Sequence, residues 1–237
     1  MSITCEDLMG LKHFQSIKLL AGHSGIHRTV TWPYVVITPS VEEWLNSGEI
    51  LFIINSNEQN MSNWEFLKRI IIDCSSKRIS GIVLVGSVSG LDSIPQNVLK
   101  LSDDYATPLY AMPWDLKLIN VTKEIIDLIV SDKNIQKKRE IFIERLLFSE
   151  GDTADSLHDY ATLHSIPVKS LHFIFSLMVT QTILSEGNAA VSETMSILKS
   201  IGELNGNRFP IIMIPSGDTI IGFCSVDSDI QVTHAVD

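Results

Sequence analysis

Histidines are the first candidates for chemistry in this sequence, because a neutral imidazole readily binds transition metals. The chain has seven, and two pairs lie close together in sequence. His23 and His27 are four residues apart, but Gly25 between them disfavours a helix that would bring both rings to one face. His158 and His164 are six residues apart, which places them on different faces of a helix. The histidine spacing therefore predicts no metal site.

Paired carboxylates and a serine nucleophile are the other groups that could catalyse a reaction. The acidic pairs are Glu42/Glu43, Asp103/Asp104 and Asp227/Asp229. Adjacent residues on a helix do not face each other, so these pairs do not predict acid–base catalysis. The glycines around Ser87 are misframed for the Gly-x-Ser-x-Gly of a nucleophile elbow. The sequence therefore predicts no catalytic residues and no cofactor.

Cysteine usage and net charge limit the class of protein further. Cys5, Cys74 and Cys224 are far apart and form no C-x-x-C motif, which fits a reducing cytoplasm. The net charge of −10 repels phosphate backbones, so no DNA binding through a basic patch is expected. The sequence has neither a signal peptide nor an apolar stretch long enough to span a bilayer. We therefore expect a soluble cytoplasmic protein without a membrane partner.

The elements that would position functional residues alternate between strand and helix. Continuous apolar runs predict strands at residues 49–54, 81–86 and 108–112, the first of them covered on both faces. Helical periodicity predicts helices at residues 62–77 and 95–105 between them. This order predicts an α/β domain with a largely parallel sheet.

A long helix is predicted after this domain, because no proline or glycine occurs from Leu116 to about Ser149. Apolar residues seven apart form a stripe at Val121, Leu128, Ile135 and Phe142, with Ile125, Asp132, Arg139 and Leu146 at the complementary positions. Two interpretations stay open. The helix packs on its own domain, or it forms a homodimer seam in which Asp132 and Arg139 pair between chains.

The remaining residues predict a second, smaller α/β unit. Its elements are a helix at 153–164, a strand-rich run at 169–183, a helix at 188–204, and strands at 210–214 and 219–226 joined by a turn at 215–218. The predicted organisation is a domain at 1–115, a connecting helix at 116–149, the second unit at 150–226 and a tail at 227–237.

Polar and aromatic residues near strand ends are candidates for binding a small molecule. Ligands collect at the carboxyl ends of parallel strands, and Ser87 and Trp114 follow predicted strands. Trp32 also lies near a strand end and could stack on a planar ligand. The alternatives are that Ser87 belongs to an ordinary loop and that the tryptophans anchor the core or an interface.

Residues 3–119 resemble the N-terminal domain of the PucR family of bacterial transcriptional regulators. The motifs "vLaG", "Gl-R-V-WvhV" and "WL-GGELLLTTG" are matched by residues 19–22, 25–35 and 44–54, and weaker matches follow from residue 81. The sequence departs from the family at Asn55, Ser56 and Asn57, where the family has Thr-Thr-Gly. If that loop touches an effector, the departure bears on which effector this member binds.

The resemblance makes Arg28 and Glu49 the best polar candidates for a ligand site, because both match the family pattern. Arg28 either binds an effector carboxylate through its two-pronged guanidinium or pairs with Glu49 inside the domain. Residues 144–226 resemble, more weakly, the GGDEF-like, ferredoxin-like domain that follows in this family. The GGDEF signature and its metal-binding carboxylates are absent, so cyclase activity is not expected.

The resemblance also implies a function. The chain would be the sensor region of a regulator of purine catabolism or related nitrogen metabolism, which binds an unknown small-molecule effector and forms a homodimer. The family contacts DNA through a C-terminal helix-turn-helix, which is absent from this chain. Two alternatives stay open: an enzyme acting on a small nitrogenous metabolite, and an oligomerisation module without a ligand.

Overall fold

The computed structural model describes residues 3–37, 41–54, 62–86, 94–169, 171–178 and 211–226, together with residues 194, 195 and 198. The chain divides into two units, the first formed by residues 2–133 and the second by residues 134–237. The division falls inside one long helix, and each unit is described by itself below.

The first unit is an α/β domain built on five strands. Its elements are α1 (Cys5–Met9), β1 (Lys18–Ala21), β2 (Trp32–Val35), β3 (Glu49–Ile54), α2 (Ser62–Asp73), β4 (Gly81–Gly86), α3 (Gln96–Asp104), β5 (Leu109–Pro113) and the first part of α4 (Leu118–Phe148). The strand order is β1-β5-β4-β3-β2. Strands β2 to β5 run parallel, and β1 pairs antiparallel with β5. The predicted α/β fold with a largely parallel sheet is therefore confirmed.

Both faces of the sheet are covered, which explains the continuous apolar runs of its central strands. All six residues of β4 are buried, as are the first five of β3. One face packs against α2 and α3 and is called the α2 face; its strand residues include Leu51, Ile53, Ile82 and Leu84. The other packs against α1 and α4 and is called the α4 face; its strand residues include Ile50, Phe52, Val83 and Tyr110. Burying each such side chain contributes about 1.5 to 3 kcal/mol.

Local signals fix several helix ends. The Thr4 side chain accepts a hydrogen bond from the Asp7 amide, and the Asp7 carboxylate accepts one from the Thr4 amide at 2.7 Å, so α1 begins with a capping box. Helix α2 ends at Asp73, earlier than the predicted residue 77, because a turn follows in which Arg78 has a φ of 50°. Helical periodicity continued past this end because Cys74 is still buried in the core of the α2 face.

Helix α4 runs without a break from Leu118 to Phe148. Its first turns contribute Val121, Ile125 and Ile129 to the core of the α4 face. Glu124 also fastens this part of the helix, because its carboxylate accepts the backbone N–H groups of Lys12 at 3.1 Å and His13 at 3.0 Å. No residue from 130 to 141 is buried.

The second unit contains the end of α4, then α5 (Ala154–Leu163), β6 (Leu171–Met178), β7 (Ile211–Ser216) and β8 (Thr219–Val226). The strands form an antiparallel sheet in the order β6-β8-β7. Its core is formed by Phe142, Ile143, Ala161, Ile166, Ile212, Ile214 and Phe223. The hairpin turn is shorter than predicted, because Pro215 and Ser216 belong to β7 and Ser216 pairs with Thr219. The predicted helix at 188–204 falls almost entirely outside the described residues.

A charged contact joins α4 to the segment that leads into α5 within the second unit. The Arg145 guanidinium donates to both carboxylate oxygens of Asp152, at 2.8 Å from Nε and 2.5 Å from Nη2. It also lies 4.8 Å from the centre of the Tyr160 ring. The hydrogen bonds from Arg145 hold the pKa of Asp152 well below its usual value. A two-pronged contact of this kind fixes the path of the chain between the helices.

Candidate functional site

The predicted ligand-binding residues lie at opposite edges of the first sheet. Trp32 and Glu49 begin the parallel strands β2 and β3, and Arg28 contacts the loops that lead into β4 and β5, so these three lie at the amino edge. Trp114 follows the last residue of β5 and lies at the carboxyl edge. Asn55 and Ser87, which follow β3 and β4 in sequence, lie outside the described residues. The described candidates therefore do not form one site.

Arg28 is held by the protein's own carbonyl groups. Its Nη1 donates to the Ile79 carbonyl at 2.9 Å and to the Thr107 hydroxyl at 3.4 Å, and its Nη2 donates to the Tyr105 carbonyl at 2.8 Å. Burial lowers the pKa of the guanidinium from its usual value. Among the described ion pairs, none joins Arg28 to Glu49. The geometry makes Arg28 a clamp between the loops that precede β4 and β5.

Glu49 is a buried carboxylate with one oxygen left unpaired. Its side chain accepts the Asn46 amide at 3.0 Å through Oε1, and 8% of the residue is exposed. Its Oε2 is buried and has no hydrogen-bond partner in the described part of the protein. The hydroxyls of Ser80 and Tyr110 are likewise buried without a hydrogen-bond partner there, although the Cys5 thiol lies close to both. Because buried polar groups are nearly always paired, Glu49 Oε2 in particular requires an explanation.

Strand register brings Glu49 and Ser80 side by side with Trp32. Trp32 is the direct partner of Glu49 in the β2–β3 pair. Ser80 stands opposite Glu49, one residue before the Ile50–Gly81 pair, and its amide donates to the Glu49 carbonyl at 2.9 Å. Side chains alternate between faces along a strand, which puts Trp32 and Glu49 on the α2 face. Ser80 stands one residue before β4, and its side chain lies near the Cys5 thiol. We call Trp32, Glu49 and Ser80 the amino-edge row.

A buried thiol and phenol lie near the row but carry no reactivity. The Cys5 thiol donates to the Ser80 carbonyl at 3.2 Å, and burial raises the pKa of Cys5 to about 11. Burial and the neighbouring Cys5 also raise the pKa of the Tyr110 hydroxyl. A thiol with a raised pKa is a poor nucleophile and a poor metal ligand. These groups therefore belong to the core.

The structure adds Ser80 and Thr107 to the residues found from the sequence. Both are fully buried polar residues; Ser80 lies immediately before β4, and Thr107 lies two residues before β5. A polar residue before an apolar run has the sequence pattern of a loop, so only the strand register reveals the position of these two residues.

The described residues contain no group of three histidine, cysteine, aspartate or glutamate side chains that could hold a metal ion. None of the described helices is both long and apolar enough to cross a membrane.

The residues of the predicted dimer seam lie in three environments. Val121 and Phe142 are buried in the cores of the first and second units respectively, which supports packing of the helix on its own chain at these positions. Leu128, Asp132 and Arg139 are half-buried. Ile135 is 44% exposed, in the stretch of α4 that has no buried residue.

The fold first defines the chain as an α/β protein whose largely parallel sheet is backed by a long helix. Residues 7–129 match the purine catabolism regulatory protein-like (PucR) family. Because the match covers more than half of the chain, the protein belongs to this family of regulators. The resemblance found in the sequence is thereby confirmed for the first unit, and the GGDEF-like resemblance of residues 144–226 stays a prediction.

The chain is also similar to the purine catabolism regulatory protein of Bacillus subtilis (strain 168). The two are 20% identical over 139 residues, which make up 59% of this chain and 26% of the relative. The matched part thus spans about a quarter of the relative's length. No solved structure matches the chain.

Proposed function

We propose that this chain is the sensing region of a cytoplasmic transcriptional regulator of purine catabolism or related nitrogen metabolism. The first unit binds a small metabolite, and α4 passes the change in packing to the rest of the regulator. DNA contact belongs to a helix-turn-helix outside this chain. The name of the Bacillus subtilis relative, with its stated role in purine catabolism, supports the metabolic assignment.

One observation carries this proposal. The family match ends at residue 129, and Ile129 is also the last residue that α4 contributes to the core of the first unit. The unit shared across the family therefore includes the sheet and the helix turns packed on it, but not the exposed stretch that follows. A ligand that binds one packing of this unit better than another shifts the population between them. Because α4 is continuous, such a shift alters the helix beyond residue 129.

A ligand screen by thermal unfolding tests the proposal. Purines, ureides and amino acids are added singly to the purified chain, and the unfolding midpoint is measured. A ligand at a hundred times its dissociation constant stabilises the native state by about 2.7 kcal/mol. We expect at least one class to raise the midpoint, with hydrogen exchange slowed within residues 7–129. If no compound raises the midpoint, the sensor proposal fails, and the chain is better described as an oligomerisation module.

The same screen addresses the enzyme alternative. Compounds that raise the midpoint are incubated with the protein and the mixture is analysed for products. Turnover that is lost in both Arg28→Ala and Glu49→Ala would favour an enzyme. Binding without turnover favours the sensor.

A further inference from the structure

We propose that the amino-edge row is the effector site, and that it accepts a small, flat, neutral or cationic molecule that donates N–H groups. This inference rests on the proposed sensor function and adds to it the position of the site and the chemical class of the ligand. It assigns the site to the amino edge of the sheet, although ligands of parallel α/β sheets usually bind at the carboxyl edge.

Glu49 has a buried carboxylate oxygen without a hydrogen-bond partner among the described residues. A carboxylate oxygen only accepts hydrogen bonds, so the group that satisfies Glu49 Oε2 must be a donor. The hydroxyl of Ser80, whose amide donates to the Glu49 carbonyl, can either donate or accept. Leaving such groups buried and unpaired is unfavourable. A ligand with one N–H directed at Glu49 and a second polar group directed at Ser80 removes this cost, which makes binding favourable.

Trp32 is the strand neighbour of this carboxylate. Trp32 is 48% exposed, although it is the direct strand partner of a residue that is 8% exposed. Neighbouring strands lie about 4.8 Å apart, so the indole stands next to the carboxylate on the same face. An indole face attracts flat and cationic groups by stacking and by its ring quadrupole. The row therefore combines an apolar platform, open to solvent, with a buried acceptor.

The charged groups near the row also limit which ligands it accepts. Arg28 already donates to the carbonyls of Ile79 and Tyr105, so its donors are committed to the backbone and do not receive a ligand carboxylate. Arg78 is exposed near the same edge, where its carbonyl accepts the Gly48 amide at 3.2 Å, and it lies outside the row. Glu49 repels an anion, because like charges that share a site disfavour each other. The row therefore selects against ligands that carry a carboxylate.

The test uses three probes of related shape and different charge. Hydantoin is a flat neutral ureide, methylguanidine is a flat cation, and hydantoin-5-acetate carries an added carboxylate. Binding of each at millimolar concentration is measured by thermal unfolding and calorimetry for the wild-type chain. We expect hydantoin or methylguanidine to bind and hydantoin-5-acetate to bind at least tenfold more weakly.

Variants then locate the binding. Glu49→Gln and Trp32→Leu should each raise the dissociation constant of the probe by about tenfold or more. This is the loss of affinity expected for one charge-assisted hydrogen bond or one stacking contact. Ser80→Ala tests the second polar group and keeps the inference testable if Glu49→Gln fails to fold. Lys123→Ala, at an exposed position of α4, serves as a control and should leave binding unchanged. Trp114→Ala tests the carboxyl edge.

The outcomes separate this inference from the broader function. If a probe or screened metabolite binds Glu49→Gln, Trp32→Leu and Ser80→Ala as tightly as the wild type, the amino-edge site is wrong and the sensor function stands. Loss of binding in Trp114→Ala alone would move the site to the carboxyl edge. Tighter binding of hydantoin-5-acetate than of hydantoin would overturn the assigned ligand class. If neither the probes nor the screened metabolites bind the wild type, the sensor function itself fails.

Discussion

The guanidinium of Arg28 joins two loops that precede neighbouring strands. It donates to the carbonyls of Ile79 and Tyr105. The sequence singled out Arg28 as a possible ligand group because it matches the family pattern. A pattern identifies a required side chain but does not reveal its partners. In this structure the partners are backbone groups about fifty and eighty residues away along the chain.

Replacing Arg28 with alanine should destabilise the first unit by about 2 to 3 kcal/mol, because it removes charge-assisted hydrogen bonds to the carbonyls of Ile79 and Tyr105. Arg28→Lys should recover only part of this loss, since a single ammonium group cannot reproduce the two-pronged geometry. Urea unfolding of the wild type and both variants measures the effect. Lys123→Ala is the control and should change stability by less than about 0.5 kcal/mol. Equal stability of Arg28→Ala and the wild type would contradict the clamp.

At the scale of elements, the central strands were the most predictable part of the fold. Strands β3 and β4 begin and end at the predicted residues, because burial on both faces favours apolar side chains at nearly every position. The hairpin turn was less predictable. Pro215 and Ser216 have the composition of a turn, but β7 includes them because their partners in β8 extend that far.

The candidate site was predictable only in part, and for a related reason. Glu49 and Trp32 could be named from the sequence, but their pairing depends on the register of two parallel strands. Ser80 gave no signal, since its burial results from the strand beside it. Strand pairing is a long-range property, which neither local composition nor periodicity records.

The contact between α4 and α5 predicts a pH effect in the second unit. Hydrogen bonds from Arg145 lower the pKa of Asp152 in the native state, whereas an unfolded aspartate has a pKa of about 3.9. The unfolded state therefore binds more protons between these two values. The stabilisation is complete above about pH 4 and is lost as the pH falls through the lowered native pKa.

This effect is measured by thermal unfolding of the wild type and Asp152→Asn between pH 2 and pH 7. We expect the variant to be less stable at neutral pH, and the difference to shrink as the solution becomes acidic. Asp127→Asn, at an exposed position of α4, provides the matched control. A difference between wild type and Asp152→Asn that stays constant over the whole range would show that the carboxylate's charge contributes nothing.

For the whole molecule, the main feature is that a single helix contributes to two cores. Helix α4 contributes Val121, Ile125 and Ile129 to the first core and Phe142 and Ile143 to the second. The seven-residue stripe in the sequence therefore combined positions from two separate cores. This leaves only the middle of the helix for a homodimer seam, and we retain the dimer as a proposal restricted to residues 130–141.

Ile135 provides the test of that proposal. It is 44% exposed in this stretch, and a charge there should prevent close packing between helices. We expect Ile135→Glu to raise the dimer dissociation constant by at least tenfold in sedimentation velocity at micromolar concentration. Asn134→Glu introduces the same charge at the neighbouring exposed position and should leave association unchanged. A wild-type chain that sediments as a monomer at micromolar concentration would rule out the seam.

The antiparallel pairing of β1 with β5 has a consequence for biosynthesis. Lys18 pairs with Ala111, so the second strand needed to fix β1 is made long after β1 itself. At about 5 to 20 residues per second, β1 leaves the ribosome several seconds before its partner does. Throughout that interval the nascent chain carries an apolar strand without a neighbour. We therefore infer that β1 joins the sheet only once β5 has emerged.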